Sequence, residues 1–315
     1  MNNPNASSCL HFTKTMSTLK LILRNGLRHS YAFEEFPKNI IQNFINECSN
    51  AVFDMGTFEA KDGWGMAIPM VSFCDIPITR ANNHSKDYGK YVIGLDKKFL
   101  LKIDRYFFNP IIYVNSDFLK EAITFFTSER IHTMDRVLKY VKDNAIRFDA
   151  TSFADKNSAH SILKTLPIQI QQDYEQRINE TFCSYILLSL YKPIYGKDTY
   201  GRKRMFYDER EWRMFLPNSS NYRWLTACTR KEFLETKKSL NSQIATSEDA
   251  YLQIPCNCWD AITHIIVKYE YQREALIDYM LKSRKLFGCQ IEKDEKAKLK
   301  LIGRITSFEQ INKDY

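Results

Sequence analysis

Glycine is scarce in this sequence. Ten glycines in 315 residues come to about 3%, against a usual ~7%. No stretch reads G-x-G-x-x-G or G-x-x-x-x-G-K-[ST], which excludes the dinucleotide fingerprint and the phosphate-binding P-loop. Long apolar runs are also missing. The run around Ile186-Leu187-Leu188 falls far short of the ~18 residues that would read as a membrane span. The start, Met1-Asn2-Asn3-Pro4-Asn5, lacks the basic-then-apolar order of a secretory signal. These absences predict a soluble, cytoplasmic protein with no membrane partner.

Eight cysteines are scattered through the chain without a C-x-x-C pair, and Cys256-x-Cys258 has no second pair or histidine at zinc spacing. The expectation is reduced, mostly buried thiols. No D-x-D and no H-x-x-x-H occurs, so no metal site is expected and a metal-dependent nuclease is disfavoured. What is present is an ordered composition, 44% hydrophobic and 26% charged. The formal charge of +8 gives a mild attraction to nucleic acid or another anion. Its basic residues are dispersed apart from Arg202-Lys203-Arg204 and the run near Lys296-Lys298-Lys300; solvated faces are the ordinary reading of both.

Alternation predicts a first strand at Cys9–Thr13, with Leu10 and Phe12 on one side and Cys9, His11 and Thr13 on the other. A helix follows, capped by Ser17 and stopped at Gly26. A second helix is expected after Pro37, carrying Ile40, Ile41, Phe44 and Ile45. Strands are expected at 68–74, 91–95 and 110–114, with short helices near 79 and 99–101. Residues 117–192 have helical periods and read as a helical insertion. Strands recur near 205–215, 249–254 and 262–268, then a helix at 272–285 and a β-rich tail. The expected class is α+β: an N-terminal half of a core sheet at 1–116, the insertion at 117–192, and a C-terminal half at 193–315.

The densest chemistry lies in Tyr207-Asp208-Glu209-Arg210-Glu211-Trp212-Arg213. On a strand, Glu209, Glu211 and Arg213 share one face, with the carboxylates about 7 Å apart. Such a pair suits the stabilisation of a developing positive charge and acceptance of a proton; a salt-bridged edge strand is the equally weighted structural reading. His11 and Thr13 on the first strand suit hydrogen bonding to a ribose or amide, although a lone histidine is more often structural. Ser72 is polar within an apolar run, as a backbone-bonded buried serine would also be. Tyr88 and Tyr91, near His84, could stack on a base or nicotinamide or serve as plain core aromatics.

In order, these features resemble the ADP-ribosyltransferase layout, and the opening Leu10-His11-Phe12-Thr13 through Asn25-Gly26-Leu27 resembles its DarT-type branch. The resemblance implies an ADP-ribosyltransferase-like mixed sheet with a helical insertion and NAD as substrate. It implies that His11 and Thr13 hold a ribose, that Ser72 borders the nicotinamide, that Glu211 stabilises the oxocarbenium-like centre and that Glu209 serves the acceptor. The sequence departs from that layout in having Ser72 alone rather than an S-T-S triplet.

Met70-Val71-Ser72-Phe73-Cys74-Asp75-Ile76-Pro77, His84 with Tyr88-Gly89, Asn109-Pro110-Ile111-Ile112-Tyr113-Val114 and Glu209-Arg210-Glu211-Trp212-Arg213 together resemble the AbiGi abortive-infection family. That family is associated with phage resistance and often labelled an antitoxin. Two functions are therefore expected, the first as the leading reading and the second as its alternative. One is a defence effector that moves ADP-ribose from NAD to nucleic acid or protein. The other is an inactive transferase-like module acting as antitoxin or phage sensor beside a cognate defence partner. The second expects the Glu209/Glu211 face to be plugged, or paired with Arg213 and closed to ligand.

Overall fold

The computed structural model describes residues 6–35, 64–103, 107–115, 167–169, 171–172, 189–197, 202–216 and 225–314. The expected helix after Pro37, and the expected helical insertion apart from 167–169, 171–172 and 189–192, lie outside these residues.

Among the described residues, nine strands form one sheet. They are β1 (Ser8–Thr13), β2 (Ser30–Glu35), β3 (Trp64–Cys74), β4 (Tyr91–Asp96), β5 (Phe107–Pro110), β6 (Glu211–Phe215), β7 (Leu225–Thr229), β8 (Ile262–Val267) and β9 (Ile305–Ser307). The spatial order is β9-β8-β4-β1-β3-β6-β5, with β2 and β7 also on β3. Every pairing is antiparallel except β8 with β9. This is a mixed α+β architecture, in agreement with the expected class.

β3 is long enough to serve two sets of partners. Its first half pairs with β2 and β7, and its second half with β6; Met70 lies opposite both Ser30 and Phe215. Its near-continuous burial from Gly65 to Val71 explains why the segment reads as an apolar run rather than an alternating one. Ser72 is the exposed exception.

Helix α1 (Met16–Asn25) packs Leu19, Ile22 and Leu23 into the main core with Cys9, Phe73, Ile93 and Ile265. The i, i+3, i+4 spacing of those three residues puts them on one face. Its cap is Thr15 rather than the expected Ser17. Thr15 is extended and its side chain accepts from the Thr18 N–H at 3.1 Å, whereas Ser17 is already helical. Gly26 ends the helix as expected, at φ 94, a conformation that costs glycine little.

The opposite face of the sheet is covered differently. Leu10, Val92 and Ile266 pack there with Ala81 of helix α2 (Ala81–Tyr88) and with Phe308 and Ile311 of the C-terminal helix Phe308–Asp314. Leu10 and Cys9 thus face opposite cores, as the alternation predicts. The tail is less β-rich than expected. Only the pair Lys285–Leu286 with Cys289–Gln290, and β9, are extended, and Glu295–Ile302 and Phe308–Asp314 are helical. The Asp294 side chain caps the first of these helices by accepting from the Ala297 N–H at 2.9 Å.

The expectation of reduced thiols fails at one pair: Cys256 and Cys289 form a disulfide with Cα atoms 5.7 Å apart, inside the usual bridging range. The 33-residue separation left no local signal. Cys9, Cys74, Cys228 and Cys258 are free. Burial pushes the Cys9 thiol up to about 12, against the opposing charge of Lys97 and with Asp75 and Asp96 adding to the rise.

Candidate functional site

The expected single strand from 207 to 213 does not form. Phe206–Glu209 is a 3-10 turn, Arg210 is left-handed at φ 42 and ψ 51, and β6 begins only at Glu211. Strand alternation therefore cannot be what brings Glu209 and Glu211 together. The turn does so instead, because it swings the Glu209 carboxylate back to a cation shared with Glu211.

That cation is Lys192. Its Nζ lies 2.8 Å from Glu209 Oε2 and 3.1 Å from Glu211 Oε2. Lys192 comes from a short strand, Tyr191–Pro193, which pairs in parallel with Ile112–Val114 and sets Lys192 beside Tyr113. The Tyr113 hydroxyl accepts the backbone N–H of Glu211 at 2.8 Å. Glu209 also accepts from the Tyr88 hydroxyl at 2.6 Å and lies 3.3 Å from Arg204 Nε. Tyr88 is held by its position on α2, where it and His84 flank the Phe12 ring of β1. Gly89, at φ 119, ends that helix where a Cβ would collide with the Thr13 carbonyl.

Arg213 lies two residues along β6 from Glu211 and on the same face. Its Nε and Nη2 sit 2.8 and 3.2 Å from the two Glu211 oxygens. Nη1 donates to the Ser189 carbonyl at 2.7 Å, and Nη2 also lies 2.9 Å from Glu34 Oε1. Arg213 is 1% exposed, Glu209 2% and Glu211 8%. Three carboxylates (Glu34, Glu209, Glu211) thus meet three cations (Lys192, Arg204, Arg213) in a charge-balanced cluster. Burial alone would raise the Glu211 carboxyl, but the charges of Arg213 and Lys192 more than reverse this and hold it well below the usual range. Burial would likewise lower Lys192, yet Glu211 and Glu209 carry it above its ordinary value. Burial and the adjacent Glu209 both push Tyr88 up.

A cavity of about 250 Å³ opens on this cluster, and His11, Ser72, Tyr88, Glu209 and Glu211 all line it. Five of the seven candidate residues are therefore brought together. Thr13 and Tyr91 are not. They face each other at the far end of the β1–β4 ladder, where the Tyr91 hydroxyl accepts from Gln272 Nε2 at 3.1 Å. His11 Nδ1 is 2.9 Å from the Ser72 carbonyl and its ring meets Phe73 edge-on. Burial lowers its pKa, and the bond to Ser72 is the structural role that a lone histidine commonly plays. Among the described residues no group of three His, Cys, Asp or Glu side chains could hold a metal.

Sequence reasoning missed Lys192, Arg204, Tyr113 and Glu34. Lys192 was hidden inside an expected helical stretch. Pro193 was the available signal, since the residues before a proline are biased toward extended backbone. The other three are ordinary residues whose role comes only from the pairing of distant segments.

A family model described as “Putative abortive phage resistance protein AbiGi, antitoxin” matches residues 61–252, a span that contains every member of the cluster except Glu34, with His11 of the cavity lining also outside it. No curated protein and no solved structure matches the chain. Among the described residues no helix is long and apolar enough to cross a membrane.

Proposed function

Because the chain belongs to the AbiGi family of abortive phage resistance proteins, we propose that it is the antitoxin-type member of a defence system and works by binding its cognate partner. The observation that carries this reading is the clasp of Arg213 on Glu211. A carboxylate that stabilises a developing oxocarbenium ion must present uncompensated negative charge to it. Here Arg213 and Lys192 already neutralise that charge, and their own charges would repel a nearby cation. The cavity of about 250 Å³ also falls below the ~300–1,000 Å³ typical of sites that enclose a drug-sized ligand. In this reading the cluster is a scaffold that ties β6 to the strands around it.

A specific observation favours a second reading, transfer of ADP-ribose from NAD: the meeting of His11, Ser72, Tyr88, Glu209 and Glu211 around one cavity. In that chemistry the bond between ribose C1′ and the nicotinamide nitrogen breaks, and nicotinamide leaves with the electron pair. The acceptor then bonds to C1′ and gives its proton to Glu209.

One experiment separates the two. Purified protein is incubated with labelled NAD and cell lysate, wild type beside Glu211→Gln, and the wild type is expressed in cells alone and with its genomic neighbours. The antitoxin reading expects no nicotinamide release, no toxicity alone and rescue from a toxic partner. Label transfer by the wild type that disappears in a Glu211→Gln variant shown to be folded would overturn it in favour of the transferase.

A further inference from the structure

A polar cleft separate from the carboxylate cavity shares none of its lining residues. It has a volume of about 650 Å³ and is built from the start and end of α2 and from residues 202–210. Five cations line it (Arg80, Arg202, Lys203, Arg204 and Arg210) against two carboxylates, Asp87 and Asp208. Asp87 is already taken, with Arg202 Nη2 at 2.6 Å and Arg204 Nη1 at 2.8 Å. Arg80, Lys203 and Arg210 form no ion pair among the described residues, and only Asp208 opposes them.

Three observations mark this excess as more than a solvated surface. Arg210 is held in the left-handed region, a conformation that costs a long side chain about 1 kcal/mol or more and persists where the surroundings impose it. His84, which lines the cleft and is 7% exposed, keeps a buried Nδ1 without a partner. The Tyr207 ring stands 51% exposed at the rim. Unpaired cations around an open groove, beside an accessible aromatic face, match the way proteins hold the backbone and bases of single strands.

We propose that this cleft binds the phosphate groups of a nucleic-acid strand through Arg80, Lys203 and Arg210, with Tyr207 against a base. A free nucleoside triphosphate carries the same chemistry and is the other source of the ligand. The assignment is independent of whether the carboxylate cavity is catalytic, because none of these four residues belongs to the cluster.

The test uses the full chain and fluorescence anisotropy with labelled single-stranded RNA and DNA of about 12 nucleotides, within the usual site size, and with ATP as competitor. Binding should weaken with salt along a log–log slope of about −2, as three phosphate contacts on a single strand require. Arg80→Ser/Lys203→Ser/Arg210→Ser should lose roughly tenfold or more in affinity at low salt and flatten the slope. Asp208→Asn, which removes the one opposing charge, should tighten binding several-fold and keeps the test informative if the triple variant fails to fold. A strand that ATP does not displace identifies a nucleic acid; ATP bound as tightly as the strand identifies a free nucleotide. No binding of either at low salt, a folded triple variant that binds like wild type, or an Asp208→Asn variant with unchanged affinity would each overturn the proposal.

Discussion

Arg213 and Glu211 are locked together on one strand, Nε 2.8 Å from Oε1 and Nη2 3.2 Å from Oε2, with the guanidinium almost wholly removed from solvent. Pairs this deeply buried are kept by geometry: the Coulomb attraction offsets a desolvation cost of several kcal/mol per ion only while every partner stays in place.

Glu211→Gln is therefore expected to destabilise the fold by about 3 kcal/mol, because it leaves Arg213 and Lys192 with too little compensating charge. Glu211→Gln/Arg213→Met should recover most of that loss by removing both buried charges. Urea unfolding at neutral pH measures both variants. A Glu211→Gln variant as stable as wild type would remove the scaffold role from the pair.

The cluster also sets the pH dependence of stability. The folded carboxyl of Glu211 sits below its unfolded value of about 4.3, so its contribution is complete above that value and declines as pH falls toward the depressed folded value. Lys192 is raised above its unfolded value of about 10.4. Its contribution is complete below that value and declines as pH rises through the higher folded one. Because His11 is also depressed and Cys9 also raised, melting temperature against pH should be highest between about pH 6.5 and 8.5, with the Glu211 share of the acid loss appearing below about pH 4.3 and the Lys192 share of the alkaline loss above about pH 10.4. Glu211→Gln should flatten the acid side; an acid limb that is unchanged in the variant would count against this origin.

The Cys256–Cys289 bridge closes a loop with a sequence separation of 33, for which chain-entropy arguments give about 3–4 kcal/mol of stabilisation. Unfolding with and without a reductant, with Cys289→Ser as the permanently open form, should show a loss of that order. Reductant should leave the variant unaffected. Equal stability of the oxidised and reduced wild type would indicate thiols that do not pair.

The origin of the site can be separated by physical range. Period and punctuation are local, and from them come the β1 strand, the opposition of Leu10 to Cys9, the stop at Gly26, the apolar β3 and the α+β class. Local chemistry also singled out Glu209, Glu211, His11, Ser72 and Tyr88, which do gather around one cavity. Thr13 and Tyr91 do not line it, because alternation tells which side of a strand a residue takes but not how far along the ladder the cavity lies.

The Glu-x-Glu strand was misread for a different reason. A left-handed Arg210 carries no sequence mark, since that conformation is imposed by its surroundings and is not favoured by arginine itself. Composition and motif order by themselves determined the class, the family and which carboxylates to inspect. Only the tertiary structure decided that those carboxylates are neutralised. Their partners, Lys192, Arg204 and Arg213, reach them from strands and turns whose pairing rests on burial and charge summed over the whole sheet.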